Sequence, residues 1–426
     1  MATPLTRRSF IRASSGLVAG AVLCSPSAHA ARVGHGDKVR LGLIGCGTMG
    51  KAHAYALAYN PECSIEAVCD VYVPRYEEVA KNIETITSKK PDGYQDFRRV
   101  LERPDIDAVF IATPDHWHAF MAIMGCQAGK DVYVEKPVCT TVQEGRAMVT
   151  AARRYGRVMQ AGTQQRSMPV CQEAIRRIRE GDLGDVTSAT AWIGANDTNV
   201  NDTPQPVPEG LDWDLWLGPA PSMPYSLERF GGFRSFFDYA RGGELTNWGV
   251  HLVDILHWGI GQDRPLNVTA IGGSYRTGAG ADNYETIEAL LEYRGCTLTW
   301  EQRHTNAYSD KGYGMKFNGT GGRAELDRGI LTISRPEGGH EQLLFEPERS
   351  WANMDHHNNF FHCVRTRQKP AADIEQGFRS TTAVLLAGIA LKTGRKLAWD
   401  GDVERFIGDE QANRHLARAY RAPWTL

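Results

Sequence analysis

The stretch that most constrains the fold is Val39 to Gly50, which reads Val-Arg-Leu-Gly-Leu-Ile-Gly-Cys-Gly-Thr-Met-Gly. Leu41, Leu43 and Ile44 make an apolar run of the kind found in parallel strands covered on both faces. The run breaks into three glycines before residues 51–57, which suit a helix. Strand, tight turn and helix in this order form a dinucleotide-binding unit. Gly45 admits the sharp turn, Gly47 lets a pyrophosphate approach the backbone, and Gly50 lets helix and strand pack closely. Thr48 and Met49 open the helix, whose first N–H groups lack intrahelical acceptors and suit an anion. A glycine turn by itself can be only a turn, so the second half of the fingerprint matters. Residues 65–69 form another strand-like run and end in Asp70, placed to accept hydrogen bonds from both adenosine ribose hydroxyls. A carboxylate there repels a ribose phosphate, which points to NAD rather than NADP, although Arg75 is near enough to turn toward such a phosphate.

A chain of 426 residues exceeds one simple core and predicts two domains. The net charge is -2 and there is no long basic run, so neither nucleic acid nor an anionic membrane surface is an expected partner. Residues 1–30 read as an export signal: Arg7 and Arg8 precede an apolar stretch, Leu17 to Leu23, and a small-x-small site at Ala28-His29-Ala30. The expectation is twin-arginine export to the periplasm or beyond, with no membrane anchor in the mature chain. That route carries folded proteins, so a cofactor loaded in the cytoplasm has to be held tightly through turnover. Of nine cysteines, Cys24 falls in the leader, and none of the others shows C-x-x-C or zinc-ligand spacing. They read as reduced packing residues, and no metal is expected.

Residues 74–86 and 94–101 read as helices, and 107–112 as a strand that ends in Thr113-Pro114-Asp115-His116-Trp117-His118. The carboxyl ends of central parallel strands face the cofactor crevice, which gives Asp115, His116 and His118 a positional claim to its nicotinamide end and makes Thr113, Pro114, His116 and His118 candidate cofactor contacts. A helix cap at Asp115 and plain surface polarity for the histidines are the alternatives. A further strand, 131–134, ends in Glu135-Lys136-Pro137. A lysine there can hold a substrate hydroxyl or lower its pKa, but a surface lysine paired with Glu135 fits the residues equally well.

Beyond a strand at 158–163, Arg166 either contacts substrate or caps the amphipathic helix 170–179, and the structural role is preferred. Trp213 and Trp216, among Asp212 and Asp214, suit a sugar platform, but an ordered loop pinned by aromatic anchors is the preferred reading. Asn247, His251 and Asp254 lie at i, i+4 and i+7, on one face of a helix. A histidine there suits general acid/base work, while the spacing alone favours a buried, hydrogen-bonded helix histidine. Strands over 267–275, 286–293, 296–303, 312–319 and 324–327 predict an open, mainly antiparallel sheet, and residues 356–365 and 377–391 predict helices.

Taken together, the turn at Gly45 to Gly50, Asp70, the Thr113-Pro114 loop, Glu135-Lys136-Pro137 and the 247–251 stretch resemble the glucose-fructose oxidoreductase, inositol dehydrogenase and rhizopine-catabolism family. The resemblance implies an α/β chain with an N-terminal Rossmann domain, 36–163. A C-terminal α/β domain, 164–426, would bind substrate and support a homo-oligomer. It places Lys136 and Glu135 beside nicotinamide, makes Lys136 and His251 the acid/base pair, and aligns Asn247 with a position where the family's dehydrogenases usually carry aspartate. Three functions follow as expectations. The first is oxidation of a ring hydroxyl of a sugar or glycoside by tightly bound NAD, with Lys136, Arg166, Trp213, Trp216, Asn247 and His251 meeting the substrate. The second is redox-neutral glycoside cleavage through transient oxidation. The third is a non-catalytic sugar sensor that holds the nucleotide.

Overall fold

The computed structural model describes residues 33–34, 36–194, 200, 202–275, 282–303, 312–346 and 354–426. The twin-arginine stretch, 1–30, lies outside the described residues.

The first sheet consists of β1 (Val39–Ile44), β2 (Cys63–Cys69), β3 (Asp92–Tyr94), β4 (Ala108–Ile111), β5 (Asp131–Val134) and β6 (Met159–Ala161). Its strands run in the order β3-β2-β1-β4-β5-β6 and all pair in parallel. This doubly wound order reverses between β1 and β4, which opens a crevice at their carboxyl ends. Leu41, Leu43 and Ile44 are buried, as a strand covered on both faces requires. One predicted helix differs. Residues 94–101 divide into the end of edge strand β3 and a short helix, Phe97–Leu101, whose N-cap Asp96 accepts from the Arg98 amide. Pairing of Asp92–Tyr94 with the end of β2 overrides the local helical pattern.

The second sheet holds β7 (Val186–Ile193), β8 (Asn267–Gly273), β9 (Thr286–Tyr293), β10 (Cys296–Arg303), β11 (Tyr313–Gly319), β12 (Gly322–Leu326), β13 (Ile330–Ser334), β14 (His340–Leu344), β15 (Leu397–Asp400) and β16 (Arg405–Phe406). The order is β14-β13-β12-β11-β7-β10-β9-β8-β15-β16. It is mixed but mostly antiparallel, with β7 and β10 running parallel. Burial alternates along β10, with Leu298 and Trp300 turned inward. On the opposite face Ile271 and Leu290 are exposed.

Three helices fix the site. Thr48–Ala58 follows the glycine turn, Gly249–Ile260 packs against β7, and Ile374–Thr393 spans from β6 to β8. The expected single helix through 247, 251 and 254 is two helices, Glu244–Asn247 and Gly249–Ile260, which abut at Trp248. The helix Met354–Thr366 is late in the sequence yet packs Phe360 and Phe361 against Phe110 of β4, in the first domain's core. Chain order therefore does not mark the spatial boundary there. The eight described cysteines are buried free thiols. Among the described residues no helix is long and apolar enough to cross a membrane, and no three His, Cys, Asp or Glu side chains cluster as a metal site would require.

Candidate active site

The crevice at the ends of β1 and β4 encloses about 1030 Å³ of space, open solvent included. Its floor follows from the three glycines. Gly45 has φ +96°, and a Cβ on it would lie 2.5 Å from the Ala112 carbonyl oxygen. A Cβ on Gly50 would meet the Gly45 carbonyl oxygen at 1.8 Å, so helix and turn can approach this closely only with glycine. Gly47 caps the helix without a side-chain hydrogen bond, and the nearest atom to its would-be Cβ is Arg75 Nη1 at 4.0 Å. Glycine thus leaves open, at the helix's positive end, the space a pyrophosphate would fill.

Asp70 stands at the end of β2 and lines the crevice. Its Oδ2 accepts from the Cys46 amide at 2.8 Å and its Oδ1 from the Tyr72 amide at 2.9 Å. Burial pushes its pKa up, against the pull of those amides and of the nearby Arg75. The amides fix the carboxylate's orientation, and each oxygen keeps a lone pair for a ribose hydroxyl. Arg75 lies 4.2 Å over the Phe230 ring, so the cation that could have favoured a ribose phosphate is engaged by an aromatic face.

The β4 loop and the β5 turn meet at the far end. The Thr113 hydroxyl is buried and has no hydrogen-bond partner among the described residues, an orphan that a carboxamide would satisfy. His118 lines the crevice and ties the two loops together, with Nε2 2.8 Å from the Thr113 carbonyl and Nδ1 2.7 Å from that of Pro137. Pro114 lines the crevice and is the N-cap position of helix Asp115–Gln127. His116 points away from the crevice, with Nε2 3.0 Å from the Trp216 carbonyl, and burial lowers its pKa to about 3. Glu135 Oε1 meets His53 Nε2 at 2.9 Å, so Lys136 is not the partner that the surface-pair alternative gave it.

Lys136 instead reaches across to the second domain. Its Nζ donates to Asn247 Oδ1 at 2.6 Å and to the Asn247 carbonyl at 3.3 Å. Burial, assisted by Arg234, lowers its pKa from 10.5 to about 8, and Glu135, Asp115 and Glu244 oppose the shift. His251 is buried, and among the described residues its Nδ1 has no hydrogen-bond partner. Burial first, then the Lys136, Arg328 and Arg234 charges, hold its pKa well below the usual histidine range.

The structure brings Lys136 and Asn247 together and places other candidates elsewhere. Arg166 is buried in a two-pronged ion pair with Asp254, Nε–Oδ2 2.6 Å and Nη2–Oδ1 2.9 Å, and stacks on Trp258. It is not among the residues lining the crevice, and it takes Asp254 away from His251. Trp213 stacks on Trp216 with ring centroids 4.5 Å apart and donates to the Met223 carbonyl. Trp213 therefore anchors a loop, while Trp216 is largely buried and contributes to the crevice wall. Sequence reasoning passed over Glu244 and Arg234, and placed Asp115 at the nicotinamide end with a helix cap as its alternative. Glu244 receives the Asn247 amide, Arg234 lines the crevice, and Asp115 is a buried carboxylate with no hydrogen bond and with Arg234 3.6 Å away. Of the two residues passed over, only Glu244 carried a signal, its place three residues before Asn247 on a helix.

A glycine cradle, a ribose-facing acid and a lysine at the strand end are the architecture of a dinucleotide-dependent oxidoreductase. Residues 39–163 match an oxidoreductase family with NAD-binding Rossmann fold. Residues 184–325 and 340–426 match the C-terminal alpha/beta domain of an oxidoreductase family. The chain belongs to the glucose-fructose oxidoreductase, inositol dehydrogenase and rhizopine-catabolism family.

Among its relatives is the scyllo-inositol 2-dehydrogenase (NAD(+)) of Bacillus subtilis (strain 168), 34% identical over 148 residues, or 34% of this chain and 42% of that one. Glycosyl hydrolase family 109 protein 1 of Shewanella sp. (strain MR-4) is 31% identical over 169 residues, 35% of this chain and 37% of that one. These matches span about two-fifths of the relatives' length. The aldose-aldose oxidoreductase from Caulobacter crescentus, complexed with glycerol, shares the fold with a TM-score of 0.66 and 20% identity, covering 85% of this chain and all of that one.

Proposed function

We propose that the protein is an exported oxidoreductase that oxidises a ring hydroxyl of a sugar or glycoside and retains its NAD through turnover, with a second, carbonyl substrate taking up the hydride and its two electrons to restore the oxidised cofactor. The observation that carries this reading is that Lys136 lines the crevice and donates to Asn247 Oδ1 at 2.6 Å, with His251 near enough for the Lys136 charge to act on it, although neither Asn247 nor His251 is among the lining residues. A bound nicotinamide would supply the hydride acceptor.

The chain's own groups then divide the proton work. Lys136, half-protonated near pH 8, donates to the substrate hydroxyl oxygen and eases loss of its proton. His251 is neutral at physiological pH because of its burial and the cations around it, so it can accept that proton as the ring C–H leaves as hydride. Two electrons leave with the hydride, and a carbonyl remains. Asn247 orients Lys136 but cannot take a proton itself.

Retention is supported by the segment 211–234. Its first residue, Leu211, bridges Tyr72, Gln95 Nε2 donates to the carbonyl of the preceding Gly210 at 3.0 Å, and Trp216, Phe230, Phe233 and Arg234 line the crevice. A strap placed along the wall adds contacts that a bound nucleotide has to break before it leaves. The sequence of residues 6–30 supports export, and the exposed Ile271 and Leu290 support assembly as a homo-oligomer through the open sheet face. The resemblance to family 109 glycosyl hydrolases favours redox-neutral glycoside cleavage as the second reading.

The test uses protein purified without added nucleotide. Sugars and glycosides are added singly while nicotinamide absorbance and aglycone release are followed. A single-turnover rise in reduced nicotinamide supports oxidation, and aglycone release without net redox change supports cleavage. Tight sugar binding with neither signal indicates a sensor, and failure to bind NAD at all removes the reading.

A further inference from the structure

Lys136 does not meet an acid directly. Its partner Asn247 is an amide, and the other end of that amide is held: Nδ2 lies 3.1 Å from Glu244 Oε1 and 3.0 Å from Oε2. The amide therefore sits between an amine donor and a carboxylate acceptor. The reverse orientation would turn the NH₂ toward the lysine and the carbonyl oxygen toward the carboxylate, and both hydrogen bonds would be lost. We propose that Glu244 is a positioning residue for Lys136, holding the Asn247 oxygen toward the amine and supplying, one helical turn away, the negative charge that an aspartate at 247 would carry. The chain Lys136–Asn247–Glu244 is a hydrogen-bonded relay of charge without transfer of a proton.

The groups acting on Lys136 come from every side of the crevice. Arg234 from the strap and burial disfavour its ammonium form, and Glu135 from its own turn, Asp115 from the β4 loop and Glu244 favour it. His251, on the following helix, is in turn affected by the Lys136 charge. Of the three acids, Glu244 alone is joined to Lys136 through a single bridging side chain, so its removal isolates the relay. Glu244 also sits in the first turn of its helix, where an acid favours the helix end irrespective of Lys136. The test has to separate the two roles.

The inference rests on the reading of Lys136 as a group that faces substrate, but its test needs no substrate. The full-length protein is labelled with trace acetic anhydride across pH 6 to 10, and Lys136 labelling is followed by peptide mass spectrometry. The wild-type midpoint is expected near 8. Glu244→Gln keeps the shape and is expected to lower that midpoint by about 0.5 to 1 pH unit, as loss of one half-screened charge implies. Glu244→Asp is expected to recover most of the shift, and Glu244→Gln combined with Asn247→Asp, which moves the acid next to the amine, to raise the midpoint to or above the wild-type value. An unchanged midpoint in Glu244→Gln overturns the proposal and leaves Glu244 as a helix-end acid. If the midpoint moves while no sugar reduces nicotinamide, the relay stands and the proposed activity falls. If sugars react while the midpoint stays fixed, the activity stands and the relay falls.

Discussion

Replacing Arg166 with methionine separates the two roles that the sequence left open for it. In the structure the Asp254 side chain has no solvent exposure and that of Arg166 only 9%. The carboxylate accepts two guanidinium hydrogen bonds and one from Ser380 Oγ at 2.7 Å. Arg166→Met removes both guanidinium donors and the positive charge, and leaves a buried carboxylate with a single hydroxyl. Breaking a buried pair in this way costs about 3 to 5 kcal/mol. For a domain of this size, each kcal/mol lowers the melting temperature by roughly 2 to 4 °C, so a fall of roughly 6 to 20 °C is expected in a thermal scan. The double variant Arg166→Met/Asp254→Leu removes the stranded charge with its partner and is expected to recover most of the loss. Calorimetry of the wild type and both variants, with NAD titrations below the transition, measures this directly. An Arg166→Met protein of unchanged stability, or a double variant no better than the single one, would refute the structural assignment.

Gly50→Ala places a methyl 1.8 Å from the Gly45 carbonyl and is expected to displace the helix start, destabilise the protein by about 1 to 3 kcal/mol and abolish NAD binding, both read in one calorimetric series. Asp70→Ala removes the ribose-facing acceptor and is expected to weaken NAD about 10- to 100-fold by titration, consistent with loss of charge-assisted hydrogen bonds. Unchanged affinity would remove Asp70 from the cofactor site. The pH dependence of nicotinamide reduction has a definite sign: His251 stays neutral through the ordinary histidine range, so no rise in rate is expected around pH 6.5, whereas loss of the Lys136 proton lowers the rate above about 8. An acid limb at 6.5 in a pH–rate profile would contradict the environment assigned to His251. The stability counterpart runs upward, because the unfolded chain binds the Lys136 proton up to its ordinary pKa of 10.5 and the folded chain only to about 8. Lys136 therefore contributes a gain in stability between those values that Lys136→Met is expected to lack in urea titrations.

Local pattern was sufficient where function depends on backbone. The glycine turn could be read because a strand-turn-helix confines its chemistry to consecutive residues, and Asp70 because the next strand ends in it, whereas the resemblance was needed to give Glu135 a place beside the cofactor. The same reading could not separate His116 from His118, two residues apart at the start of one helix. One faces the Trp216 carbonyl and the other joins two crevice loops, and only the packing of the strap against that helix distinguishes them. Trp213 and Arg166 were ambiguous for the same reason, since an aromatic ring or a guanidinium looks identical in sequence whether it meets a ligand or another part of the chain.

The sequence by itself determined the two-domain α/β plan and the cofactor end of the crevice, both of which follow from hydrophobic period and from glycines with no substitute. Tertiary structure alone decided the partners of the charged groups. Lys136 and Asn247 are 111 residues apart, Arg166 and Asp254 are 88 apart, and Phe360 packs into a core whose strands lie far earlier in the chain. Buried charges take whichever partner the packing of sheets and helices brings within 3 Å, and no local pattern encodes that distance.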